Sequence, residues 1–149
     1  MSKTTPHSTL VNYLQQLISL LDIPEHAKRI ALNFRITSYY QTRAGFHPVE
    51  IQLERVASES KAMQWRIVFI ASFSYPDETA EHVDVELYFN FLRSWFYQPD
   101  IKRCELHQPK VKELYQAYER TLMQQFKQRS FDDIQATLVS INNGSVKTA

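Results

Sequence analysis

Apolar residues recur along this chain at two distinct periods, and the switch between them divides it into elements. Between residues 10 and 21 the spacing is three and four. Leu10, Leu14, Leu17, Ile18 and Leu21 share one stripe, the period of a helix with a single buried face. Ser8 or Thr9 offers a hydroxyl to an otherwise orphaned backbone N–H at its start, and Pro24 ends it by removing a donor. From residue 30 the period becomes two. Ile30, Leu32, Phe34 and Ile36 alternate with Ala31, Asn33 and Arg35. Val49, Ile51 and Leu53 alternate with Glu50, Gln52 and Glu54, and Val83, Val85, Leu87, Phe89 and Phe91 with Asp84, Glu86, Tyr88 and Asn90. Each run predicts a strand with one apolar and one polar face.

Residues 63–73 differ. Trp65, Ile67, Phe69, Ala71 and Phe73 make one face, while Val68 and Ile70 render the other apolar too. That predicts a central strand with at least part of both faces covered. Burying two such side chains is worth roughly 3–6 kcal/mol. A chain segment or a second subunit is therefore expected over Val68 and Ile70, and self-association through that face, giving a homo-oligomer, is the expectation. The terminal helices are expected on the opposite face, against Trp65, Ile67 and Phe69.

The connections read as hairpins. Residues 57–61 are small and polar, and residues 75–81 contain Pro76 and Asp77, which suit a turn. Residues 95–98 predict a short fifth strand, stopped by Pro99. A second helix begins near Pro109, with Val111, Leu114, Tyr115, Tyr118, Leu122 and Phe126 as its apolar stripe. Residues 131–141 fit a strand better than a helix, because Ile134, Ala136 and Leu138 alternate with Gln135, Thr137 and Val139. No connection between the middle strands is long enough for a helical crossover, so their order is antiparallel. The fold class predicted is α+β: a twisted antiparallel sheet of about five to seven strands with the N-terminal and C-terminal helices packed on one face. Residues 1–149 are expected to form a single domain, with 1–7 and 142–149 as disordered tails.

Composition narrows the function classes. The 149 residues are 44% hydrophobic and carry 17 basic against 16 acidic side chains, for a formal charge of +1. No global basic excess exists to drive binding to nucleic acid or to an anionic membrane. The polar face of the first helix carries Asn and Gln rather than Lys and Arg, so it suits core packing, not a membrane surface. There is no unbroken apolar signal core and no spanning run. With one cysteine, Cys104, a reducing cytoplasm is the expected location.

Candidate chemistry is sparse. His47 and Glu50 point to opposite faces of a predicted strand and cannot easily share an ion. Cys104 and His107 are suitably spaced, but two ligands do not make a zinc site. No metal and no cofactor are expected. Ser72, Ser74 and Ser94 lie outside any nucleophile-elbow motif, and the two glycines, Gly45 and Gly144, are too distant for a phosphate loop. Glu50, Glu54, Asp84 and Glu86 recur on outward strand faces, as solvated sheet faces require. Arg29, Arg35, Arg43, Arg66 and Arg93 with Tyr39, Tyr40, Tyr88 and Tyr97 would suit stacking on single strands, yet the arginines alternate with acids. Adjacent Tyr39 and Tyr40 can anchor a partner or fold back as a lid.

Asn33-Phe34-Arg35, the string Gly45-Phe46-His47-Pro48-Val49-Glu50-Ile51, and Trp65 with Phe73-Ser74-Tyr75 together resemble a bacterial family of unknown function. Its members are small single-domain proteins of Vibrio and related bacteria, often carried on genomic islands. The resemblance spans residues 27–138. It implies a fold similar to that of the mitochondrial matrix acidic glycoprotein that binds the globular heads of complement C1q. Such proteins pair a twisted antiparallel sheet with terminal helices and form a ring-shaped trimer with an acidic face. The near-balanced charge here departs from that face, and the resemblance brings no catalytic residues.

The expectation is a non-enzymatic interaction protein with an unknown protein partner. Its candidate binding residues are Tyr39, Tyr40, Phe46, His47 and Glu50, and it has no catalytic residues. The alternatives are a small-ligand binder or enzyme with a cleft between sheet and helices near His47, and, more weakly, a nucleic-acid-associated accessory protein.

Overall fold

The computed structural model describes residues 8–57, 63–99 and 101–141. Along the chain lie α1 (Ser8–Ser19), β1 (Ala27–Arg35), α2 (Tyr39–Thr42), β2 (Val49–Ala57), β3 (Met63–Ser74), β4 (Asp84–Asn90), β5 (Trp95–Gln98), β6 (Ile101–Glu105), α3 (Pro109–Lys127) and β7 (Asp133–Ile141). The seven strands form one sheet in the order β6-β5-β4-β3-β2-β1-β7, and every pairing is antiparallel. Strands β1 to β6 follow one another across the sheet. Helix α3 then carries the chain back to the far side, where β7 pairs with β1. The fold is α+β, as the two periods predict. The expected turn at residues 57–61 and the tails at 1–7 and 142–149 fall outside the described residues, apart from the backbone of Ala57.

Both long helices cover one face. Leu10, Leu14 and Ile18 of α1 and Val111, Tyr115, Leu122 and Phe126 of α3 share a core with Ile30, Leu32, Phe34, Val49, Ile51 and Leu53. Leu114, expected on the α3 stripe, is instead exposed. The stripe runs 111, 115, 118, 122, 126, which leaves 114 on the outer flank. Aromatic rings join the layers: Tyr13 of α1 stacks on Phe126 of α3 with centroids 4.4 Å apart, and Phe126 meets Phe34 of β1 edge-on at 5.0 Å.

The central strand departs from simple alternation. Gln52 pairs with Phe69 but the next residue, Leu53, pairs with Ile67, so Val68 is an extra residue in β3. A bulge of this kind exchanges the two faces beyond it. Trp65 and Ile67 lie in the core as expected, but so does Ile70, opposite Ile51 and Phe89. Phe69 turns to the other face, where its ring lies 5.0 Å from Tyr88, and Tyr88 lies 5.0 Å from Trp95. Two expectations are thereby corrected. Phe69 does not meet the helices, and Val68 and Ile70 do not present a self-association face, since they are 4% and 0% exposed within this one chain.

The face away from α1 and α3 is covered by its own long side chains. Glu54 is buried there between two arginines, its Oε1 2.7 Å from Arg29 and its Oε2 2.6 Å from Arg66. The paired guanidinium groups hold its carboxyl below the ordinary range, the hydrogen bonds from Arg29 contributing most.

Candidate functional site

The distinctive string lies where the β1–β2 loop turns into the sheet. Chain reversal there uses two left-handed residues, Arg43 at φ 61° and Gly45 at φ 100°. Open space surrounds the place a Cβ would occupy at Gly45, so the glycine answers a backbone requirement and not a close approach. Pro48 then leads into β2, and its carbonyl accepts from Phe73 N–H at 3.0 Å. A proline just before a strand loses no ladder bond of its own.

His47 is fixed by a carboxylate that the sheet turns inward. Between β3 and β4 the pairing steps from Ser72↔Leu87 to Phe73↔Val85, which leaves Glu86 as an extra residue. Its Oε2 lies 2.7 Å from His47 Nδ1 and accepts from Ser72 Oγ at 2.6 Å. The Tyr118 hydroxyl, buried beneath α3, approaches Ser72, and burial drives its ionisation far above the ordinary tyrosine range. The set contains a serine, a histidine and an acid, but the wiring is not that of a nucleophilic triad. Ser72 donates a hydrogen bond to the carboxylate, and the carboxylate, not the imidazole, is its partner, so the serine–histidine contact of such a triad is not formed. These bonds anchor a loop to the sheet.

Tyr39 packs on His47 and links it to two further tyrosines. The Tyr39 ring lies 5.1 Å from the imidazole, 5.7 Å from Tyr75 and 5.7 Å from Tyr40. The Arg43 guanidinium sits 3.8 Å over the Tyr75 ring and donates to the carbonyls of Asp77, Glu78 and Ala80 at 3.1, 3.3 and 2.7 Å. Arg43 therefore ties the β1–β2 loop to the β3–β4 loop. Burial pushes the Tyr39 hydroxyl's ionisation upward, with the Tyr75 backbone partly offsetting it. Between the two loops lies an open hollow of about 490 Å³, walled by Tyr39, Arg43, His47 and Tyr75 with Asp77 and Glu78 on its rim.

The candidate residues separate. Tyr39, Tyr40 and His47 come together. Glu50 lies around the strand from them, in a smaller hollow of about 170 Å³ that Tyr40 borders along with Asn33, Arg35 and Phe73. Burial raises the Glu50 carboxyl, and Arg35 draws it partly back. Phe46 is half-buried. It points inward, its ring 6.3 Å from Tyr118 and 5.9 Å from Phe131. Residue spacing alone does not bring Arg43, Tyr75, Glu86 and Ser72 to this site. The Tyr-Pro-Asp turn gave a local signal for Tyr75; nothing in the alternation around Glu86 signals its bulge.

The other constellations have structural employment. Arg29 and Arg66 grip Glu54, Arg35 lies 3.6 Å from Asp133, and Arg43 binds loop carbonyls, which weakens the reading of a nucleic-acid surface. Among the described residues no group of three or more His, Cys, Asp or Glu could hold a metal ion. No helix among them is long and apolar enough to cross a membrane. A cleft between the helices and the sheet does exist, but its lining comes from α1, β3, α3 and the turns that follow β4 and β6, and does not include His47.

A profile for proteins of unknown function, DUF2787, matches residues 8–137. No curated protein has a sequence that matches. The fold is similar to that of a hypothetical protein from the Vibrio cholerae VSP-II pathogenicity island, with TM-score 0.75 and 23% identity over 93% of this chain and 97% of that one. It is also similar to a conserved hypothetical protein from the V. cholerae VPI-2 pathogenicity island, with TM-score 0.64 and 27% identity over 91% of this chain and 94% of that one. The second of these is described as sharing structural homology with the human P32 protein.

Proposed function

The chain belongs to the DUF2787 family of proteins of unknown function, and from that premise we propose that it is a non-enzymatic interaction module that binds another protein through the surface around Tyr39, Tyr40, Arg43, His47 and Tyr75. The observation that carries this reading is the Arg43 bridge. One side chain stacks on Tyr75 and holds three carbonyls of the neighbouring loop. Two loops that would otherwise move separately are thus joined into one preformed surface, which lowers the ordering cost of association. Tyr40 and Tyr75 supply contact area at little conformational cost, and Tyr39, only 2% exposed, supports them from beneath. The acids Asp77 and Glu78 on the rim favour a partner segment with basic side chains.

The family's fold supports the same class of activity by analogy, through the relative said to share homology with P32. The proposal places the protein in the cytoplasm, where a lone cysteine stays reduced. Self-association through Val68 and Ile70 is no part of it, because both are buried. The test is comparative affinity capture from host lysate, using the natural chain and a Tyr40→Ala/Arg43→Glu variant of equal thermal stability. A protein recovered reproducibly by the first and lost by the second supports the reading. Identical recoveries refute it.

A further inference from the structure

At one end α1 and α3 touch through Tyr13 and Phe126. Toward the N-terminal half of α3 they part over β3, and a cleft of about 600 Å³ opens between them. Trp65, Ile67 and Phe91 line it from the sheet side, with Val11, Leu106 and Tyr115 completing an apolar wall. That volume falls in the usual range for small-molecule sites, about 300–1,000 Å³.

The polar lining has one sign. Lys112 and His107 border the cleft, together with the amides of Gln15 and Gln116, and among the described residues no Asp or Glu lines it. Arg66 contributes to the lining, but its guanidinium is held by Glu54. Lys112 is exposed and has no ion pair among the described residues. The first turn of α3 contains no acid. An occupant that complements this site has an apolar body and a single negative head. No glycine-rich loop is present for a polyphosphate, and Lys112, without an ion pair among the described residues, matches one charge.

We propose that this cleft binds a medium-chain fatty carboxylate, its alkyl chain against Trp65, Ile67 and Phe91 and its carboxylate at Lys112. The inference stands independently of the protein-binding surface, which lies around His47. The chain's own residues 1–7 do not complement the site, since Met1 is their only large apolar residue, and they carry Lys3 and no acid.

Decanoate is the probe, titrated below its micellar range into the full chain carrying Trp95→Phe, so that fluorescence reports Trp65 alone. Decyltrimethylammonium serves as the cationic control. Saturable binding of decanoate is expected, tighter than the control by about tenfold, as a charge-assisted contact gives. Lys112→Glu, at an exposed position, should reverse that order. Gln116→Phe, at the rim, should abolish both signals. Equal binding of the two amphiphiles, or an affinity for decanoate unchanged in Lys112→Glu, overturns the proposal. So does absence of saturable binding. Binding that emerges only after deletion of residues 1–7, or a dimer in sedimentation whose formation excludes decanoate, overturns it in favour of a chain segment or a second copy as the occupant.

Discussion

His47 Nδ1 lies 2.7 Å from Glu86 Oε2, the same oxygen that accepts from Ser72. A bulged residue of β4 thus fixes the loop that carries Tyr39, Tyr40 and Arg43. Removing the carboxylate leaves Ser72, only 2% exposed, without its acceptor. Glu86→Ala should therefore lower stability by about 2 kcal/mol and Glu86→Gln by about 1 kcal/mol, the ordinary cost of unsatisfying a buried hydroxyl. Urea unfolding measures both. A Glu86→Ala variant as stable as the natural chain would show that the loop is held by other means.

Gly45 gives a test with a clean mechanism. Its φ is 100° and nothing lies within 4 Å of a built Cβ, so a side chain there meets only backbone strain. Gly45→Ala should cost about 1 kcal/mol, and Gly45→Val more, because β-branching restricts the backbone further. Equal thermal unfolding of all three proteins would contradict the assigned conformation.

The acid limb of stability should trace to Glu54. Its folded-state pKa lies below the ordinary 4.5 because Arg29 and Arg66 bind the charged form. The unfolded chain therefore binds more protons as pH falls below 4.5, and this contribution, full above that value, is lost as pH falls through the depressed pKa. Glu50 and Glu119 have the opposite sign. Burial raises both above 4.5, so they add stability as pH falls toward that value. Glu54→Gln should flatten the curve below 4.5 and cost about 1 kcal/mol at neutral pH, a value reduced by the solvent exposure of both arginines. Denaturant midpoints across pH 2 to 7 would show it, pH values being about this range for carboxylate linkage; an unaltered acid limb in Glu54→Gln would exclude the ion-pair account.

Ile70 separates core packing from assembly. It is fully buried opposite Ile51 and Phe89. Ile70→Ala should cost about 2–5 kcal/mol, whereas an interface residue would change the sedimentation coefficient first. A variant with natural stability but altered oligomeric state would restore the original expectation for this residue.

Much of the fold is legible in residue spacing. The stripe of α1, the alternation of β1, β2 and β4, and Pro109 at the start of α3 all carry strong period signals. Phe69 and Ile70 mark where that logic fails: one extra residue, Val68, exchanges the faces, and alternation alone cannot locate a bulge inside a run apolar on both sides. The same limit hid Glu86, which reads as one more outward carboxylate. The hairpin of β5 and β6 is only half legible, because Pro99 reads as a stop when it lies in a turn. At the site, Tyr39, Tyr40 and His47 are close in sequence and could be grouped. Arg43 and Tyr75 meet only through two long loops, and Phe46 turns inward because Tyr118 and Phe131, distant in the chain, provide its packing.

The central claim, a protein-binding surface at the bridged loops, is tested most directly by site-specific photo-crosslinking in living host cells. A photoreactive residue is placed at position 40, where the side chain is 37% exposed, and, as control, at exposed Thr121 on α3. The account predicts a discrete protein adduct from position 40 that is missing from position 121 and that disappears when Arg43→Glu is added. No adduct from position 40, or the same adduct from both positions, would contradict it.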